Sequence, residues 1–252
     1  MYAKDPQRGR TEDALEELIQ KGQVYRQLIH LRDCKIIFAN KANRFTFLQG
    51  LASTVPWGII TYWMITSFQE YRGVSKEMAT TIFLVLGIGT TVGSVIFAYI
   101  GEWLYKKNPR YMPLLCGTGI LVGIIPAMIL INMGLADMAV YLVLGFFAGF
   151  LVSVPAANVK AILMNVNRPE HRGTVFLVFN ITDNLGQGLG PAMGGLLVPL
   201  GHLFMMNFAI LWWIPCGLLF LVVTRFIAAD RDSLRRLMEE RAREMGLQRQ
   251  QP

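Results

Sequence analysis

The sequence predicts an all-α membrane protein with six transmembrane helices, and three observations carry that expectation. Of the 252 residues, 53% are hydrophobic and only 16% charged, with a mean hydropathy of +0.40, too apolar for an ordinary water-soluble domain. Six charge-poor runs long enough to cross a bilayer alternate with short polar segments. The basic residues are also sided. Residues 1–44, 102–110, 160–172 and the tail hold 22 of the 24 Lys/Arg, leaving Arg72 and Lys76 opposite. The positive-inside rule then places both termini in the cytoplasm of a cell bounded by a plasma or inner membrane. Topology accounts for the net charge of +7 without a nucleic-acid partner.

Residues 1–44 carry nine Lys/Arg. Leu15, Leu18, Ile19, Tyr25, Leu28 and Ile29 recur at helical spacing, predicting an amphipathic cytoplasmic helix over 12–31 that lies on the membrane or against the protein. A solvated linker helix, weakest at Gly22, is the alternative. The start of the chain is polar, so the first apolar run is expected to direct insertion. Span one, 45–68, carries Gln49, Ser53, Thr54 and Thr61 around Pro56 and Trp57, as a cavity wall would. Span two, 78–101, contains Gly87, Gly89 and Gly93, and EWLYKKNPR after it reads as a short loop. Spans three (111–136) and four (138–159) each hold glycines four apart and a proline, Pro126 and Pro155, and span four adds Asn158. Lys160 is expected to snorkel to the headgroups, with gating or lipid contact as the alternative. Span six, 203–224, is nearly devoid of polar residues and reads as lipid-facing. Residues 228–252 form a basic cytoplasmic tail and a water-facing helix candidate.

Span five, 173–200, is the most polar. Asp183 lies ten residues beyond Gly173, ~15 Å along a helix and near the middle of a ~30 Å hydrocarbon layer. An ionised carboxylate is costly there. Asn180, Asp183, Asn184 and Gln187 fall in one stripe at ~100° per residue. Gly186, Gly190 and Gly194 form a doubled GxxxG that admits another helix backbone, and Pro191, followed by Gly195, interrupts the hydrogen-bond ladder.

Several chemistries lack their residues. Cys34, Cys116 and Cys216 are far apart, without a CxxC pair, so neither a disulfide framework nor structural zinc is expected. His30, His171 and His202 lie outside the spans or at their ends, and no HExxH, GxSxG or GxxxxGK[ST] is present. No catalytic residues, metal site or cofactor are predicted, and the chain does not read as an enzyme. LASTVP at Pro56 and LVSVP at Pro155 echo one another, as two three-helix repeats would.

The fifth-span string Gly186, Gly190, Pro191, Gly194, Gly195 resembles the GxxxGPxxGG motif of the major facilitator superfamily. Gly101, Lys106, Lys107 and Arg110 are similar to its GxxxDRxGRR loop, with Tyr105 in the acidic position and Asn108 at the second glycine. A degraded loop and a long charged leading segment look like the C-terminal six-helix half, and RGTVFLVFNITDNLGQGLGP is similar to Spinster-type members. The resemblance implies that spans one and four line a central cavity, two and five meet the other half, and three and six face lipid.

The expected function is therefore secondary transport of a small, amphiphilic or lipid-like solute by alternating access. Gln49, Thr54, Trp57 and Asn158 would line the path, and Asn180, Asp183, Asn184 and Gln187 a polar seam. Asp183 is either a proton or cation carrier or the ionised partner of a cation on the other half. Expected partners are the lipid bilayer, the small solute, and either a missing N-terminal half, if the chain is a piece of a longer protein, or a second copy in a homodimer. A transport-incompetent scaffold or receptor, and a permease subunit needing a partner chain, are the alternatives.

Overall fold

The computed structural model describes residues 34–134 and 137–248. The amphipathic helix expected over 12–31 lies outside the described residues, as do the last two positions of the expected third span. A short α1 (Cys34–Ala39) leads into α2 (Lys41–Arg72). The Asn40 side chain caps α2 by accepting from Asn43 N–H at 3.0 Å, and Gly73, at φ 64°, closes it in the left-handed region. Ser75 caps α3 (Lys76–Lys107) by accepting from Met78 N–H at 3.2 Å. Then follow α4 (Tyr111–Asn132), α5 (Met138–Val152), α6 (Pro155–Val166), α7 (Arg172–Leu197), α8 (His202–Leu211) and α9 (Trp213–Gln248).

Four segments, Lys76–Lys107, Tyr111–Asn132, Met138–Val166 and His202–Glu244, are long and apolar enough to cross a membrane by length and composition. Helices α2 and α7 have the length, 32 and 26 residues, but are diluted by amides, hydroxyls and Asp183.

The boundaries differ from the expected ones in three places. EWLYKK is not loop but the end of α3, where Lys106 pairs with Glu102 at 2.7 Å and Lys107 sits 3.5 Å over the Trp103 ring. An i,i+4 ion pair and cations at the helix C-terminus both favour that continuation. The expected fourth span is two helices, broken at Ser153–Val154 with Pro155 opening the second, and it runs on to Val166. The tail is not a separate element, since α9 continues unbroken from Trp213 through the expected boundary at 228.

The helices associate as α2 with α7, α3 with α5, and α4 with α9, while α4 also packs on α5 and α9 on α2. Exchanging the first three long helices for the last three maps this pairing onto itself, as two three-helix repeats would. Two of the seams are ladders of small residues. Thr54 and Gly58 meet Gly186 and Gly190; Ser153 meets Gly93, Gly149 meets Leu86 and Thr90, and Gly89 meets the Phe146 carbonyl. A Cβ on Gly190 would lie 2.6 Å from Gly58 Cα, and one on Gly149 2.1 Å from Leu86 O, so the backbones themselves touch. Close approach of this kind supplies the dispersion that holds helices together where lipid removes the hydrophobic contrast.

The basic end is braced by polar contacts. Asn43 and Asn167 exchange amide hydrogen bonds at 2.7 and 2.6 Å, and the Asp230 carboxylate accepts from Ala42 N–H at 2.9 Å. Arg241, far along α9, donates to buried Glu170 at 2.7 Å. These contacts dock the tail on the bundle over the described residues.

Candidate functional site

A cavity of about 390 Å³ opens where α2, α6 and α7 converge. Helix α2 lines it with Gln49, Ser53, Thr54, Trp57 and Thr61, and α7 with Phe179, Asn180, Asp183 and Gln187. The far wall comes from Val152 and Ser153 at the α5–α6 break, then Pro155, Ala156, Val159 and Lys160. Thr90 of α3, Ile120 of α4 and Trp213 of α9 complete it. Spacings of three and four along α2 and α7 put these side chains on one face of each helix.

The Thr54 hydroxyl is shared between Gly50 O at 2.9 Å and Asp183 O at 2.7 Å, tying α2 to α7 directly beside the carboxylate. Trp57 meets Trp213 edge-to-face, with ring centroids 5.6 Å apart, and the Trp213 indole N–H donates to Ser53 O at 3.3 Å. Gln49, only 2% exposed, donates its amide to Cys216 Sγ at 3.3 Å, whereas its Oε1 has no hydrogen-bond partner.

Six of the eight residues expected on the path or seam, Gln49, Thr54, Trp57, Asn180, Asp183 and Gln187, therefore share one cavity. Asn158 does not join them. Its amide N–H groups go to Phe97 O at 3.0 Å and Val154 O at 2.7 Å, and it presses so closely on α3 that a Cβ at Gly101 would collide with its Oδ1. It locks α6 to α3. Asn184 is exposed off the cavity and donates back to Asn180 O at 2.7 Å. Among the glycines, Gly186 abuts Thr54 and Leu51, Gly190 abuts Gly58, and Gly194 abuts the Trp63 indole, whose N–H reaches Pro191 O at 3.0 Å. Gly195 makes only ordinary contact with Trp63, at 3.6 Å. This glycine face serves α2 of the same bundle. The opposite face of α7, Leu177, Ile181, Leu185 and Leu189, is exposed.

Two cavity residues were expected elsewhere. Lys160, expected at the headgroups, lines the cavity, and α6 continues ~9 Å beyond it to Val166. Trp213 does not face lipid. The α8–α9 break at Trp212 turns it inward, and it is 3% exposed.

The family model of the Major Facilitator Superfamily matches residues 45–247. The chain belongs to this superfamily. It is thus a multi-pass membrane protein, as the glycine-proline motif of α7 suggested. Curated relatives include the efflux pump FUB11 of Gibberella fujikuroi, 28% identical over 149 residues, or 57% of this chain and 25% of that protein. The efflux pump FUBT of Fusarium oxysporum is 28% identical over 57% of this chain and 24% of its own length. The transporter paaT of Penicillium rubens is 27% identical over 51% and 22%. This facilitator chain spans about a quarter of the length of the curated relatives it matches. The Spinster-type likeness rests on the sequence resemblance alone. Among the described residues no cluster of His, Cys, Asp and Glu could hold a metal ion.

Proposed function

We propose that this chain is one six-span half of a facilitator that exports a small amphiphilic solute by alternating access, both termini cytoplasmic. One observation carries the reading: polar side chains from α2, α6 and α7 converge on a single cavity among otherwise apolar helices. Polar groups at membrane depth are costly unless they line a path or find partners. Outward movement is supported by the efflux pumps among the relatives. The exposed apolar faces of α3 (Leu84, Ile88, Val95) and α7 are where a second bundle fits, supplied by the rest of a longer polypeptide or by a second copy.

Asp183 is the coupling carboxylate in this reading. In proteoliposomes, Asp183→Asn is expected to lower proton-driven transport at least about tenfold with protein abundance unchanged. Undiminished, still pH-driven transport in that variant removes the carrier role. An antibody to residues 230–252 then tests the assembly: a denatured band well above 28.3 kDa in native membranes means a longer polypeptide, and one at that mass means a separate polypeptide, whose mass in mild detergent then tells a second copy from a different partner or none.

A further inference from the structure

The cavity holds two opposite charges that act on each other across it without forming an ion pair. Lys160 on α6 and Asp183 on α7 both line it, and among the described residues neither belongs to an ion pair. The two helices run antiparallel through the 167–171 connection. Asp183 lies ~16 Å along α7 from Arg172 and Lys160 ~9 Å back along α6 from Val166. The edge-to-face Trp57–Trp213 pair and Phe179 line the same cavity. Gln49 lines the same space, with its Oε1 buried and without a hydrogen-bond partner.

We infer that the cavity selects a zwitterion, a small molecule with an ammonium and a carboxylate separated by an apolar, ring-sized body. The ammonium goes to Asp183, the carboxylate to Lys160, and the ring to the indoles. The inference rests on reading the cavity as the solute path. Its physical basis is charge balance. A singly charged solute would satisfy one wall, leave the other ion without a partner and add a net charge to the cavity. A zwitterion pairs both ions and adds none. A volume of about 390 Å³ lies within the range of small-molecule sites.

Four ring isosteres test this on the protein in lipid nanodiscs: 4-(aminomethyl)benzoate, 4-methylbenzylamine, 4-methylbenzoate and 4-methylbenzyl alcohol. Binding is read by quenching of tryptophan fluorescence, and movement by counterflow in proteoliposomes. The zwitterion is expected to bind at least about tenfold more tightly than either singly charged isostere, a factor that one added charged contact supplies. Lys160→Gln should reduce its affinity to that of the amine, and Asp183→Asn to that of the benzoate. Retained amine binding in the first variant and benzoate binding in the second show that each is folded. Exchanging the two charges, Lys160→Asp with Asp183→Lys, should restore the preference, because the zwitterion can bind reversed. A singly charged isostere binding as tightly as the zwitterion, or no isostere binding, overturns the inference. Counterflow of the amine or benzoate alone would keep the transport reading and sink the zwitterion. Zwitterion binding without counterflow would do the reverse.

Discussion

Along one seam of the bundle Gly58 and Gly190 bring α2 and α7 into backbone contact, and along the other Gly149 and Leu86 do the same for α5 and α3. The two seams occupy equivalent places in the two repeats, yet their surroundings differ. Beside the first lie Gln49, Thr54, Asn180, Asp183 and Gln187. Beside the second, among the described residues, the only polar side chains that reach the cavity are Thr90 and Ser153. The proline echo diverges similarly: Pro56 sits inside unbroken α2, whereas Pro155 opens a new helix after a break. Packing geometry is thus repeated while chemistry is not, as expected if small residues set helix distance and the remaining positions are free to specialise.

The largest effect should come from filling either seam. Gly190→Val and Gly93→Val each drive side-chain atoms into backbone, against Gly58 and Val55 in the first case and Phe150 O in the second. Backbone cannot swing aside as a side chain can, so each should cost about 3 kcal/mol or more, read as loss of monodisperse protein on detergent gel filtration. Equal losses would mean that the repeats share the structural load. A tolerated Gly190→Val would show the α2–α7 seam to be looser than the α3–α5 seam.

Next is the brace at the basic end. Glu170 is 5% exposed and receives Arg241 at 2.7 Å. Glu170→Gln leaves a cation facing a neutral amide at a largely buried site, and because Arg241 keeps some access to water the expected cost is about 2 kcal/mol, checked by thermal unfolding. No change would mean that the α9 tail is docked by its other contacts, including Asp230 on the start of α2.

Much of the fold was legible because hydropathy marks apolar helices directly, and because glycines four apart declare a seam before its partner is known. The helix breaks were not legible. Pro56 and Pro126 lie within continuous helices while Pro155 begins one, so proline alone does not decide; the packing around it does. For the site, an amide or carboxylate within an apolar run advertises itself, which made Gln49, Asn180, Asp183 and Gln187 visible. Sequence could not say which amide the backbone consumes, hence Asn158. Nor could it say that α6 outruns its apolar stretch, hence Lys160.

A smaller effect sharpens the same contrast at the cavity. Trp213→Phe keeps an aromatic edge against Trp57 but removes the N–H donated to Ser53 O at 3.3 Å, a half-buried bond that α2 shares with α9. The expected loss is about 1 kcal/mol. A shift in isostere binding larger than that would place the Trp213 indole on the solute rather than on the scaffold.

The smallest effect concerns the glycines that face away from the seams. A Cβ on Gly87 of α3 or Gly188 of α7 would meet nothing within 4 Å, so alanine there gains helix propensity without a clash. In the 252-residue chain alone each substitution should raise stability by up to about 1 kcal/mol, seen as a modest rise in melting temperature. These positions sit on the faces that we assign to a second bundle. If that bundle packs there as closely as α2 packs on α7, the same alanines should turn neutral or destabilising in the complete assembly. A gain that persists in the assembly would mean that these faces meet lipid, and the second bundle would then have to close the cavity from another side.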